Sequence, residues 1–254
     1  MRQMMRHYLS LLLLLLAIAS FLPVFAQGIE LPSTRKGVPE QVIRHTGFTT
    51  SYNDQWRIPN WVAWELTREE TTGSVGRSQQ FVADSDVKGK SASTYDYSKS
   101  GYDRGHMAPA GDMKWSQQAM DESFYLTNIC PQHHDINAGQ WEKLENRCRG
   151  WAKFHGRVWI CCGPVMSVNP ATIGENKVAV PSGFFKVVCA ERRGQYHAIG
   201  FLFPNNPCQG SIWEYAMSVD EVEEVVGHDF FHNLPDAIEE AVERSWNEKF
   251  WKSN

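Results

Sequence analysis

The sequence predicts an α+β fold, with packed helices on a largely antiparallel sheet. Three observations predict it. Strand-like and helix-like stretches follow one another without regular alternation, which argues against a doubly wound parallel sheet. Two apolar runs, residues 184–189 and 196–203, flank Arg192-Arg193-Gly194, a short turn of the kind that closes a hairpin. A long amphipathic helix is written across residues 137–155, where Trp141, Leu144, Cys148, Trp151, Ala152 and His155 recur at three- and four-residue steps.

The elements follow in chain order. Arg2 and Arg6 open a segment whose apolar run from Leu9 to Phe25 holds the leucines Leu11 to Leu16 and ends in Val24-Phe25-Ala26. Ser20 and Pro23 interrupt the run and no basic stop-transfer flank follows, so it reads as a secretory signal cleaved after Ala26 rather than a membrane anchor. The expectation is an exported protein, periplasmic or extracellular, with no membrane contact in its mature form. Residues 27–254 then form a single domain, undivided by a Pro/Ser linker, a low-complexity tract or an internal repeat. Residues 61–67 are aromatic and β-branched and read as a strand. A polar loop over 69–78, a short strand over 79–83 and a Ser/Asp/Lys-rich surface loop over 84–100 come next. An extended segment is expected over 101–106, a short helix over 116–123 and an apolar strand over 124–130. Gly156 is placed to end the long helix, and a strand follows over 157–162. Ser218-Val219-Asp220-Glu221 is a capping box that starts a helix, and one amphipathic helix is expected from Pro235 to about Trp251.

Loss of the leader removes two arginines and no acid, which takes the formal charge from −4 to −6. An acidic chain binds polyanions poorly, so any nucleic-acid site here must be a local basic patch. Six cysteines, Cys130, Cys148, Cys161, Cys162, Cys189 and Cys208, remain. An even count in an exported chain suggests disulfides; small buried thiols are the alternative. None of the cysteines forms a Cys-x-x-Cys pair, so a zinc ribbon is excluded.

His106 is the first candidate for chemistry. Gly105 beside it allows close backbone approach, and Asp103 and Arg104 place both charge signs nearby. An imidazole with an ordinary pKa of about 6.5 suits taking a proton from water near neutrality. Asn137 has two readings. Asn137-Ala138-Gly139-Gln140 fits a helix N-cap with a reciprocal glutamine. Alternatively, its amide oxygen binds a divalent ion such as Mg²⁺, which keeps most of its waters and needs few protein ligands. Glu145, two turns further on, either holds a metal-bound water or forms a surface pair with Arg149.

Three stretches carry a family resemblance: Asp103-Arg104-Gly105-His106-Met107-Ala108-Pro109, Tyr125-Leu126-Thr127-Asn128-Ile129-Cys130-Pro131-Gln132, and Asn137-Ala138-Gly139-Gln140-Trp141 with Leu144-Glu145. In order and spacing they resemble the DNA/RNA non-specific endonuclease family, and Trp61-Val62-Ala63-Trp64 and Asp229-Phe230-Phe231-His232-Asn233-Leu234-Pro235 extend the likeness over roughly residues 60–235. The resemblance implies a ββα-metal finger. In it His106 is the general base, Asn137 the direct ligand of one Mg²⁺ (Mn²⁺ being an alternative), Glu145 a contact to the ion's water shell, and Asn128 an orienting residue. Arg77, ahead of Phe81 and Asp84, matches the arginine that neutralises phosphate charge; Arg104 and Arg149 face phosphate or brace acids. The implied activity is cleavage of DNA and RNA to 5′-phosphate ends with little regard for sequence. A metal phosphoesterase on small nucleotides and a catalytically silent nucleic-acid-binding protein are the rival readings. The sequence leaves a homodimer open.

Overall fold

A computed structural model describes residues 28–33 and 36–253; the leader expected over residues 1–26 lies outside the described residues. In chain order the strands are β1 (Gln41–Arg44), β2 (Thr49–Asn53), β3 (Ile58–Thr67), β4 (Asp103–His106), β5 (Ile129–Gln132), β6 (Arg157–Val165), β7 (Thr172–Ile173), β8 (Val178–Ala179), β9 (Gly183–Arg192), β10 (Gln195–Pro204) and β11 (Ala216–Met217). The helices are α1 (Gln117–Glu122), α2 (Glu142–His155), α3 (Val219–Val226), α4 (Asp236–Glu243) and α5 (Glu248–Lys252). Seven strands form one antiparallel sheet in the order β1-β2-β3-β6-β9-β10-β11. The pairs β4-β5 and β7-β8 stand apart from it. The α+β expectation, with its largely antiparallel sheet, holds.

Strand periodicity splits the core into two layers. Trp61, Ala63, Trp159, Cys161, Phe185, Val187 and Cys189 face one side, where Val219, Val222, Val226 and Val242 of α3 and α4 cover them. The alternate residues Val62, Trp64, Ile160, Cys162, Phe184 and Val188 face the other side, against Trp141 and against Leu144, Cys148, Trp151 and Ala152 of α2. α5 closes this second layer. Trp251 packs at 4.6 Å on Trp151 and accepts its indole N–H at 3.0 Å. The strand pair β4-β5 and α2 therefore lie on one face of the sheet, and the C-terminal pair α3 and α4 on the opposite face.

Four local expectations are revised. Residues 79–83 form no strand; only Val82 bridges, parallel, to Tyr125. The apolar run 124–130 is a strand only from Ile129, because residues 126–128 make a tight turn held by side-chain hydrogen bonds. The helix at 137–155 begins with a wide turn over Ile136–Trp141, which leaves helical geometry at Gly139 (φ −116°, ψ −109°) before α2 starts. The C-terminal amphipathic stretch breaks in two, because Asn247 accepts the Phe250 N–H and caps a new helix. The remaining signals hold: Gly156 at φ 101° ends α2, Ser218 and Glu221 cap α3 reciprocally, and Arg193 and Gly194 close the β9-β10 hairpin at positive φ. Among the described residues no helix is long and apolar enough to cross a membrane.

The expected disulfides do not form. All six cysteines are free, and all but Cys208 are buried. The two-layered core separates Cys161 and Cys189 from Cys130, Cys148 and Cys162, and the β6-β9 register sets Cys161 opposite Val187 and Cys189 opposite Trp159 rather than each other. Burial pushes the Cys148 and Cys162 thiols up to about 12, so they pack as small apolar groups. Thiol titration without reductant is expected to find one accessible thiol, Cys208, in the native protein and six in denaturant; fewer than six in denaturant contradicts the assignment.

Candidate active site

β4 and β5 pair antiparallel with Gly105 opposite Cys130 and His106 opposite Ile129. A Cβ at Gly105 would lie 2.6 Å from Gln132 Cβ, so the side chain of the neighbouring strand allows only glycine here. The strand ends at His106, and the backbone beyond it is clamped. Asn128 Oδ1 accepts the Ala108 N–H at 2.8 Å, while Asn128 Nδ2 donates to Ala108 O and Ser123 O, both at 2.8 Å. The Met107 N–H donates to Asn128 O at 2.9 Å. From the other side, Trp141 Nε1 donates to His106 O at 3.1 Å and ties the strand end to the start of α2.

The His106 ring is buried against two aromatic rings, edge-on to Phe124 at 4.8 Å and tilted to Phe81 at 5.3 Å. Each of these rings carries a guanidinium: Arg104 stands 4.5 Å from the Phe81 centroid and Arg77 5.1 Å from that of Phe124. Burial, reinforced by Arg77 and Arg104, pushes the His106 pKa down to about 3, so the imidazole is neutral across physiological pH. Its Nε2 is buried without a hydrogen-bond partner among the described residues.

Asn137 lies inside the wide turn rather than at a helix cap. Its backbone N–H donates to His133 O at 3.0 Å, and its Nδ2 donates to Asp103 Oδ2 at 2.9 Å, which turns the amide oxygen away from that carboxylate. The N-cap reading is thereby corrected. Wide turns of this kind are enriched at functional positions. Asp103 also receives His134 Nδ1 at 2.8 Å, which anchors the loop to β4.

Arg77, Arg104, His106, Asn137, Glu145 and Arg149 line one cleft of about 450 Å³, joined by Lys114 and Glu142. Asn128 does not line it; it is fully buried behind the cleft and acts on the backbone after His106. Arg149 does not pair with Glu145. It donates to Asp112 Oδ1 at 2.6 Å and to Asn146 Oδ1 at 2.8 Å. A Cβ at Gly111 would meet Arg149 Nη1 at 2.7 Å, so that glycine gives the guanidinium its place. Burial pushes the Asp112 carboxyl up, against the pull of Arg149. Glu145 is half-buried and its carboxyl is pushed up to about 7, chiefly by burial and with Asp112 adding to it against Lys186 and Arg149.

Lys114, Asp112 and Lys186 were not foreseen from the sequence. Lys186 is fully buried, with Nζ 4.2 Å from the Trp141 ring centre and 5.4 Å from that of Trp64. Its position on β9, between Phe185 and Val187 of the opposite layer, was the only signal: an alternating strand places Lys186 on the inward face toward α2.

A strand pair and a helix framing a cationic cleft around a neutral histidine define a ββα-type nuclease architecture. A family model for DNA/RNA non-specific endonucleases matches residues 29–237, and the chain belongs to that family. It is 38% identical to the mitochondrial nuclease EXOG of Danio rerio over 79% of this chain and 64% of that protein. It is 32% identical to mitochondrial endonuclease G of Homo sapiens over 76% of this chain and 70% of that protein. The chain thus spans less than two thirds of the zebrafish relative's length. The solved structure of an EndoG/EndoGI complex superposes with a TM-score of 0.75 at 32% identity, covering 78% of this chain and 89% of that one.

These relatives correct the expectation of export. Nucleases of Danio rerio, Saccharomyces cerevisiae, Schizosaccharomyces pombe and Homo sapiens that match this chain are named mitochondrial, which points to mitochondria rather than export. Arg2, Arg6 and the lack of acidic residues before Glu30 are features that organelle-targeting and export segments share, so they did not discriminate.

The buried histidine has a consequence for stability. His106 takes up a proton below about 6.5 in the unfolded chain but only near 3 in the native one. Between these values the unfolded state holds more protons, so native stability falls as pH falls through that window. In chelator, His106→Gln is expected to lose less stability than the parent between pH 7 and pH 4.5 in urea unfolding, by about 2 kcal/mol; equal losses contradict the buried neutral imidazole.

Proposed function

We propose that the protein is a metal-dependent endonuclease that hydrolyses phosphodiester bonds in DNA and RNA with little sequence preference, leaving 5′-phosphate ends. The observation that carries this reading is the cleft that holds His106 and Asn137 together under four cationic side chains, Arg77, Arg104, Lys114 and Arg149, in a chain of net charge −4. Such local focusing of positive charge suits a polyanion that the rest of the surface repels. Contacts to phosphate rather than to base edges carry no sequence information, which accounts for low specificity.

The donor set fits a hard divalent ion of the Mg²⁺ class, with Mn²⁺ as a substitute. Asn137 offers an amide oxygen, Glu145 and Glu142 offer carboxylates at the same cleft, and His106, which also lines it, has a buried Nε2 with no hydrogen-bond partner among the described residues. When bound, the cation offsets charge on the phosphoryl group and on the leaving 3′ oxygen. Asn137 would hold it through Oδ1, with the amide oriented by Asp103. Glu145, on the same cleft, would orient water beside it. His106 takes a proton from the attacking water at Nε2. Arg77 and Arg104 depress its basicity in the free protein. A substrate phosphate paired with these two arginines cancels part of that depression, so the base strengthens when substrate arrives. Arg149 is held by Asp112 and presents its remaining donors to phosphate.

Digestion of plasmid and of RNA, with and without chelator, tests the reading. Chelator is expected to abolish cleavage, and His106→Ala to lower kcat by about 10²–10⁴. Asn137→Ala is expected to lose activity together with metal affinity. Undiminished cleavage by His106→Ala contradicts the assignment of the base.

A further inference from the structure

A second cluster of chemistry-bearing groups lies on the opposite face of the sheet. Asp220 and Glu223 stand one turn apart on α3, and Glu239 and Glu243 one turn apart on α4, with Asp229 in the connection between the helices. Carboxylate oxygens of Asp220, Glu223 and Glu243 all lie within 4.8 Å of one another. Glu243 is buried to 5% exposure, and its Oε1 has no hydrogen-bond partner among the described residues.

Helix grammar explains part of this cluster and not the rest. Asp220 sits in the first turn of α3, where a carboxylate offsets the positive end of the helix dipole. Glu223 is a full turn further on, and its Oε1 accepts the Phe230 N–H at 2.7 Å. Glu243 is the last residue of α4, the end where the dipole disfavours a negative charge. The charged groups that act most strongly on it are Glu223, Glu239, Asp220 and Asp229, all of like sign. Among the described residues, none of the five acids forms an ion pair. A buried, unpartnered carboxylate at the wrong helix end, facing further carboxylates, is costly unless a cation joins it.

We propose that Asp220, Glu223 and Glu243 form a Ca²⁺ site that staples α3 to α4. Ca²⁺ accepts six to eight oxygens at about 2.3–2.6 Å in adaptable geometry, so oxygens on its opposite sides are about 5 Å apart. The three donor atoms fall inside that limit. Mg²⁺ holds its oxygens at about 2.0–2.1 Å and demands a stricter octahedron. Partly exposed Asp220 and Glu223 leave room for waters to complete the shell, while Glu243 anchors the ion from inside. Burial, with the neighbouring acids adding to it, raises the Glu223 and Glu243 carboxyls to about 7 and about 9, so Ca²⁺ binds here with release of protons. The site is separate from the cleft: α3 and α4 cover the layer that holds Trp61 and Cys161, whereas the cleft stands on the Trp64 and Cys162 side.

The test uses the full chain carrying Asn137→Ala, which removes the oxygen donor assigned to the cleft and leaves the carboxylate cluster intact. Calorimetric titration with Ca²⁺ is expected to give about one ion per chain. Saturation at 100 times Kd is expected to raise the unfolding midpoint by about 5–10 °C. Adding Glu223→Gln with Glu243→Gln abolishes both signals, and in chelator this doubly substituted chain is at least as stable as its parent, because two carboxyls penalised by burial are gone. Binding or a midpoint shift that survives the glutamines overturns the proposal, as does an Asn137→Ala chain that takes up no Ca²⁺. If the double substitution fails to fold, the exposed Asp220→Asn alone decides: Ca²⁺ affinity falls at least about ten-fold, and unchanged affinity overturns the site.

Discussion

The hydrogen bond from Trp141 Nε1 to the His106 carbonyl is the constraint on which the cleft depends. It joins the end of β4 to the turn that precedes α2, two segments that local hydrogen bonding alone would leave free to shift. The indole is itself fixed from behind by Phe184 and by the Lys186 amine 4.2 Å from its ring centre, both carried by β9 in the middle of the main sheet. The position of His106 is therefore set by an interior strand of the main sheet, flanked by β6 and β10. Asn128 completes the restraint by standing in for the ladder hydrogen bonds that a strand over residues 124–128 would have made. Side chains proposed to act as base and ligand within ångströms of each other are best held by elements that cannot move independently.

Electrostatics in the cleft are organised by burial as much as by charge count. Asp112 is fully buried and holds Arg149 at 2.6 Å, and it receives the Trp64 indole N–H at 3.1 Å. Arg77 and Arg104 are spread over the faces of Phe124 and Phe81, which keeps near the histidine two cations that form no ion pair among the described residues. The outcome is a neutral imidazole facing a positive rim, the protonation state that water activation requires. On the far face of the sheet the pattern inverts: carboxylates gather without cations among their strongest neighbours.

The parts of the fold set by short-range periodicity were legible in the sequence. The strands expected over 61–67 and 157–162 form, and Gly156 and Ser218 terminate and start helices where residue grammar places them. Errors arose where a tertiary contact overrode a local pattern. Asn137-Ala138-Gly139-Gln140 satisfies the capping template, yet Asn137 turns to Asp103 and Gln140 reaches Gly210 O, so a wide turn replaces the cap. The amphipathic period of the C-terminal stretch runs across residues 244–247 without marking the break, because α4 and α5 pack on opposite layers. Of the site, His106, Asn137, Glu145 and the arginines were visible through family motifs. Lys114 lines it, and Asp112 and Lys186 support it from behind through Arg149 and Trp141; apart from the alternation of β9, their segments carry no local signature. Paired cysteines were expected from number and compartment, and neither consideration contains the facing of the strands that separates them.

The central claim is convergence: one imidazole and one carboxamide, about thirty residues apart in sequence, share a single hydrated cation in the cleft. The most direct measurement is an anomalous difference map from crystals soaked in Mn²⁺. The account predicts a peak in the cleft within bonding distance of Asn137 Oδ1, with His106 Nε2 directed at the ion's water shell. A cleft without a peak, or a peak there that Asn137 does not touch, contradicts it.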